Sequence, residues 1–474
     1  MQRGRGSFTS QGDGLGDDAP TRTGLTQHLQ ALALVLGPLL LLGLHAVGPW
    51  GPTPRGPGGP DPRVFGIDAT RWLGGWRWAW LGAAAMVVLW PTARRAVGEV
   101  VVAASERLSA RRSIAGEVAL AAGALVVLLG NASTTLYGDG HSLLVRVTQR
   151  VPPVTSQVLD LAAHDALYDL LVRLGVVRAP WWSYALWSAV AGLVYLGAVR
   201  RFGREGPGDA ASRAQVVVAL LTAGTVQLFF GYVESYSLVT AVLTAVAAHL
   251  LLPSEGARAP LLVGLGTGLA VAFHLLALAA LPAVAWWLAR TARSRPLPTL
   301  GGVVAGLVGP ALAVGVMQLV HSQPVDRMLR ASHPGGANRQ MLLPPWPAKP
   351  GDASLLSEAH LADTLNLVVL LAPVALPALL VALTRRRPTP GDPVAWLLAA
   401  GFGALLLLWE PDMGAAKDWD LFAAAGPPLA LLAAGATAAR LSAAERVETV
   451  GSWAVVGAAV TLPWVLGNAL GLPC

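Results

Sequence analysis

Apolar residues in this chain fall in long runs. The first, "ALALVLGPLLLLGLHAVG" (31–48), sets the pattern, and thirteen such runs begin near residues 29, 73, 114, 181, 214, 236, 260, 276, 300, 363, 393, 421 and 450. A bilayer crossing takes about 20 mostly apolar residues. With no water in the hydrocarbon to satisfy the backbone, each run is predicted to be helical. Of the 474 residues 54% are hydrophobic and 13% charged, a balance that excludes an ordinary soluble globule. The predicted fold class is an all-α polytopic membrane protein. The first run lies behind 28 polar, Gly-rich residues and lacks a small-residue cleavage site, so it reads as a retained helix rather than a secretory signal.

The formal net charge is +7, yet the basic residues sit in short loops between the runs. These are "TARRA" (92–96), "ARRS" (110–113), "RRFGR" (200–204), "ARTARSR" (289–295) and "TRRRP" (384–388). Such clusters mark the cytoplasmic side of a membrane protein and do not point to nucleic acid. Alternating the runs from that premise puts the N-terminus inside and Cys474, the one cysteine, outside. A single cysteine excludes an internal disulfide and a Cys metal cluster. Residues 1–28 are predicted to be a disordered cytoplasmic tail, 29–113 two accessory spans with a basic connector, and 114–474 one helical bundle.

The same alternation gathers the polar stretches on the extracytoplasmic face: "YGDGH" (137–141), "GYVESY" (231–236), the loop 321–363 and "EPDMGAAKDWD" (410–420). Within 140–180, "SQVLDLAAHDALYDLLVRLGVV" spaces Val158, Leu159, Leu161, Leu167, Leu170, Leu171 and Leu174 as an amphipathic helix on the outer surface. The loop containing "LLPPWPAKPGD" (342–352) is rich in turn formers and reads as an irregular lid.

Four places can carry chemistry, each with a plainer reading beside it. Asp139 suits a turn or the cap of the helix bearing Leu143, Leu144 and Val147. At the mouth of a membrane cavity, with Tyr137, His141 and Arg146 beside it, it can instead act as a general base towards a hydroxyl or amine. Glu234, between Tyr232 and Tyr236, either caps a helix beginning at Ser235 or supplies a second carboxylate at the same depth. His274 stands at a turn in about 30 apolar residues, either as a hydrogen-bonded packing residue or in contact with a phosphate. In "WEPDMGAAKDWDLF" (409–422), Glu410, Asp412, Asp418 and Asp420 belong either to a solvated loop or to a site for a hard divalent cation, the one candidate cofactor. Lys417 would meet a phosphate oxygen there.

From 114 to 437 the order of features resembles the GT-C glycosyltransferases, polytopic enzymes that transfer sugars from polyprenyl-phosphate carriers. The resemblance rests on a core helix followed by "YGDGHSLLVRVTQ", surface helices, "GYVESYSLVTAVLTAVAAHLL" and "GLGTGLAVAFHLLALAALPAVAWWL". The last is similar to the Gly-rich, proline-ended hairpin of the protein mannosyltransferase and aminoarabinose transferase branches. It implies that Asp139 is the catalytic or acceptor-binding carboxylate and that Glu234 is the second acid. His274, Arg327, Arg330 and Lys417 then become candidates for the donor phosphate. Many members carry two adjacent acids where this chain has "DG", and a Lys is common where His274 stands. The partners implied are a polyprenyl-phosphate sugar donor, a lipid, glycan or protein acceptor, and the lipids of a bacterial inner membrane. Two other classes compete: a secondary transporter or lipid-carrier flippase, which predicts midplane charges and paired broken helices, and an envelope polymer ligase or polymerase, whose outer loops are rich in Arg and His.

Overall fold

Prolines and caps divide the chain into its helices. The computed structural model describes residues 24–47, 69–130, 140–152, 155–253, 256–321, 342–346, 354–384, 392–409 and 418–470. α1 is Gly24–Val47. A 3-10 segment, Ala69–Trp76, leads into α2, Arg77–Leu89. Trp90 is then extended ahead of Pro91, as a residue before proline prefers, which separates α2 from α3, Pro91–Ser109. α4 is Ile114–Gly130, α5 Gly140–Gln149, α6 Val158–Arg173 and α7 Ala179–Glu205. The Asp209 carboxylate accepts from Ser212 N–H at 2.8 Å and caps α8, Ala210–Leu221. α9 is Ser237–Leu251, α10 Arg258–Phe273, α11 Leu281–Ala292, α12 Pro296–Gly306 and α13 Val308–Gly315. α14, Glu358–Leu371, and α15, Ala375–Thr384, are followed by α16, Pro393–Leu408, α17, Gly426–Ala438, and α18, Ala443–Leu470.

The apolar runs fall largely on helix, and the chain is an integral membrane protein of all-α class. Among the described residues, five helical segments are long and apolar enough to cross a bilayer. Two more pairs qualify as bent spans, α3 with α4 at 118° and α14 with α15 at 99°, and six apolar helices are shorter. The short ones shape the interior. α9 has 15 residues, about 22 Å at 1.5 Å per residue, against a hydrocarbon core of about 30 Å. The chain therefore completes such crossings with 3-10 turns and irregular backbone, which a membrane tolerates only where protein buries it or a cavity receives it.

α10 packs on α9 along one side and on α12 and α13 along the other, and α7 packs on α8 and α9. The run "GLGTG" at the centre of α10 is a packing device: a Cβ on Gly264 would stand 1.7 Å from the Gly302 carbonyl oxygen. Only glycine lets those two backbones meet. The basic connector is a folded helix. α3 lies against α18, where Arg94 pairs with Glu448 at 2.9 Å and donates to the Val88 carbonyl. α1 and α2 also pack on α18, and α1 on α15.

The surface helix differs from its sequence reading. Leu161 and Leu171 are buried, but Leu170 and Leu174 are exposed, while Asp160 and His164 are buried. The leucine stripe hid a polar inner face.

Candidate active site

The motif "GYVESY" lies in a break between two spans. α8 ends at Leu221, a 3-10 turn covers Gly224–Phe229, and α9 starts only at Ser237 with Tyr236 as its cap residue. Glu234 is therefore not the cap of a helix at Ser235. Tyr232, Val233, Glu234 and Ser235 are irregular backbone, each no more than 3% exposed. Gly231 makes the reversal at φ 73°, a left-handed conformation natural to glycine. Ser188 of α7 secures it: its hydroxyl accepts from Gly231 N–H at 2.9 Å and donates to the Leu228 carbonyl at 2.6 Å. Ser237 donates to the same carbonyl at 3.1 Å.

Three neighbours meet this segment. The Tyr236 ring lies 5.1 Å from that of His274. The Tyr232 ring lies 6.0 Å from Trp419, whose indole in turn meets Trp464 edge-on at 5.3 Å. Val233 joins a cluster with Leu143 and Val147 of α5, Leu161 of α6 and Tyr184 of α7. The structure thus brings together three of the polar stretches singled out in the sequence, "GYVESY", His274 and the end of "KDWD", and sets α5, which starts one residue after Asp139, against the first of them.

His274 marks the expected turn. It has extended backbone between α10 and the 3-10 turn Leu275–Ala280, and it is buried. Its Nδ1 accepts from Leu276 N–H at 3.0 Å, so a neutral ring carries its proton on Nε2 and offers a donor there. Asp420 is buried as well, with one carboxylate oxygen accepting from Leu421 N–H at 2.9 Å. Asp418 is partly exposed, next to Trp419 at the start of the 3-10 segment Trp419–Ala425. The described parts of the 321–363 segment reach the same region: Leu342 pairs with Trp409, Leu343 N–H donates to the Leu408 carbonyl at 2.9 Å, and His360 Nε2 lies 2.8 Å from the Leu407 carbonyl.

His141 stands apart. α5 turns Gly140, Leu143 and Val147 inward, and exposed His141 lies with Val145, Thr148 and Gln149 in an open groove of about 400 Å³. Tyr137, Asp139, Arg327, Arg330, Glu410, Asp412 and Lys417 lie outside the described residues. Among the described residues, no three His, Cys, Asp or Glu side chains are grouped closely enough to hold a metal.

A polar cluster under α6 escaped the sequence reading. His164 stacks on Tyr184 at 3.9 Å, its Nδ1 lies 3.0 Å from the Ser183 carbonyl, and its Nε2 lies 3.3 Å from Asp160. Burial raises the Asp160 pKa, opposed by the neighbouring His164 and Arg146. Burial likewise raises Asp165, opposed by Arg146, which pairs with it at 2.7 Å. The i, i+4 spacing of Asp160 and His164 was a signal that both share one helix face.

No family model matches the chain, and no curated protein matches it. Among solved structures, the crystal structure of ArnT from Cupriavidus metallidurans bound to undecaprenyl phosphate is similar at TM-score 0.50 and 15% identity, over 76% of this chain and 77% of that one. The same protein in its apo state gives TM-score 0.46 and 17% identity over 69% and 60%. The likeness to the lipid-bound structure is one of fold.

Proposed function

We propose that the chain is a membrane glycosyltransferase that moves a sugar from a polyprenyl-phosphate donor to an envelope acceptor on the extracytoplasmic side. The observation that carries this reading is the buried, irregular "GYVESY" segment. It places Glu234 along the chain between a contact to His274 and a contact to Trp419, and its Val233 packs on α5, next to Asp139 in sequence. The fold shared with ArnT, a protein crystallised with undecaprenyl phosphate, supports a prenyl phosphate as the donor's carrier. A lipid-phosphate sugar needs an apolar groove, cationic or donor groups for its phosphate, and a carboxylate for the incoming nucleophile.

In this reading Asp139 takes the proton of the acceptor hydroxyl or amine as the acceptor atom bonds to the anomeric carbon from the face opposite the phosphate. The carbon–oxygen bond to the phosphate breaks, its electron pair leaves with the polyprenyl phosphate, and the anomeric configuration inverts. Glu234 holds the acceptor. Arg327, Arg330 and Lys417 meet the phosphate charge, and His274 donates from Nε2.

The test is transfer from labelled polyprenyl-phosphate sugars in membranes, with protein abundance matched by immunoblot. Asp139→Asn and Glu234→Gln should each lower transfer by on the order of 100-fold, the scale of a lost general base or carboxylate contact. Full transfer by both variants would overturn the assignment. One feature favours a second reading as a lipid-carrier flippase: the breaks at "GYVESY" and at the α14–α15 bend of 99° are of the kind transporters use. Lipid translocation without any sugar transfer would select it.

A further inference from the structure

The groove that takes His141 runs along the exposed side of α5, where Leu144 and Trp181 line it and also pack on the cluster that holds Val233. Its other wall is the start of α7, with Arg178, Pro180 and Trp181. Three observations describe what it would receive.

The first is charge. Nearby Arg146 and Arg150 are committed to Asp165 and Asp169, whereas among the described residues the Arg178 guanidinium has no hydrogen bond or ion pair and no acidic side chain lines the groove. Arg178 is also held at φ 59°, ψ 34° as the residue before α7, a left-handed conformation costly for a side chain of its kind. The second is depth. α7 is long and apolar enough to cross a bilayer, and Trp181 and Trp182 in its first turn are of the residue type enriched where a span meets the lipid–water boundary. The third is the rim. On the α6–α7 turn that leads into Arg178, outside the groove lining, Leu170, Leu174 and Val177 are 51%, 68% and 82% exposed, which suits lipid contact rather than water.

We propose that this groove holds the phosphodiester headgroup of an anionic membrane glycerophospholipid. Arg178 pairs with a phosphate oxygen, Gln149 and His141 donate to the headgroup, and the glycerol and first acyl carbons lie against Val145 and the Trp181 ring. The lipid is a bound membrane component, distinct from the sugar donor and acceptor. Its cation is Arg178, and its apolar part leaves past the exposed α6–α7 turn.

The purified full-length chain would be titrated with phosphatidylglycerol and, separately, phosphatidylcholine, and bound lipid counted by native mass spectrometry. Wild type should bind the anionic lipid at least about tenfold more tightly than the zwitterionic one, and Arg178→Gln should remove that preference, the scale of one lost charge-assisted contact. Arg178→Gly removes the same charge while suiting the left-handed backbone; it should keep or raise thermal stability and still lose the lipid, which separates binding from folding. Arg173→Gln, an exposed arginine outside the groove, should bind as wild type does. Equal retention of phosphatidylglycerol by wild type and both Arg178 variants would overturn the proposal. So would displacement of the lipid by millimolar inorganic phosphate, which would assign the groove to free anions.

Discussion

His164 stands between two hydrogen-bond acceptors, the Ser183 carbonyl at 3.0 Å and an Asp160 oxygen at 3.3 Å. Burial is what raises the Asp160 pKa. A carboxyl raised in the folded state contributes stability that is complete below its ordinary value near 3.8 and is lost as pH rises through the native value. Asp160→Asn would donate from its amide to Nε2 while Nδ1–H keeps the Ser183 carbonyl. Thermal melts of the detergent-solubilised protein followed upward from about pH 4 should show wild type losing stability with rising pH more steeply than the variant, which keeps the parallel loss from Asp165. A fall equally steep in both would refute a raised Asp160 carboxyl. At this scale the sequence spoke through residue type and neighbours. Glu234 between two tyrosines and His274 alone in an apolar run were conspicuous, because ionisable groups are rare in lipid. Asp160 and His164 were not, because seven apolar residues around them made a simpler pattern, and which face a helix buries is decided by its neighbours.

The α10–α12 contact is the sharpest test of an element. Gly264→Ala puts a methyl group where the Gly302 carbonyl oxygen already stands, 1.7 Å away, and backbone cannot rotate aside as a side chain can. The expected cost is about 1–3 kcal/mol, the usual range for overpacking, read as a lowered melting temperature. Gly301→Ala, on α12 beside Gly302 with open space at its Cβ, should cost little. If both variants melt with wild type, the close contact is not a determinant of the fold. Helix existence was legible in the apolar runs, and breaks were legible at "GYVESY" and His274, where polar or ionisable residues interrupt them. The fold of α3 was hidden. "TARRAVGEVVVAASERLS" carries too many charges to read as a span, and its docking depends on Gly98 and Arg94 meeting α18, contacts no local pattern announces.

Across the whole molecule, the side chains of Arg94 and Glu448 join parts of the chain 354 residues apart. Their pairing closes α3 onto α18, with the Gly451 backbone against the Arg94 carbonyl. Removing one partner leaves the other charge with its desolvation unmet, so Glu448→Ala should destabilise by about 3–5 kcal/mol. Replacing both with apolar residues, Arg94→Met with Glu448→Met, should recover most of that loss. A double variant no better than the single one would show that the pair acts through something besides mutual neutralisation. The order of the thirteen runs was readable from one end to the other, but which runs touch was not, since hydropathy records distance from lipid and says nothing of partners. That pairing also sets a timetable for biogenesis. At 5–20 residues per second, the 354 residues between the partners take on the order of 20–70 s to synthesise. Throughout that interval α1–α3 have no α18 to dock on and Arg94 is without its acid. Completion of the bundle thus waits on a helix made long after the ones it secures, and a ribosome that stalls in between leaves a guanidinium exposed as the sign of an unfinished chain.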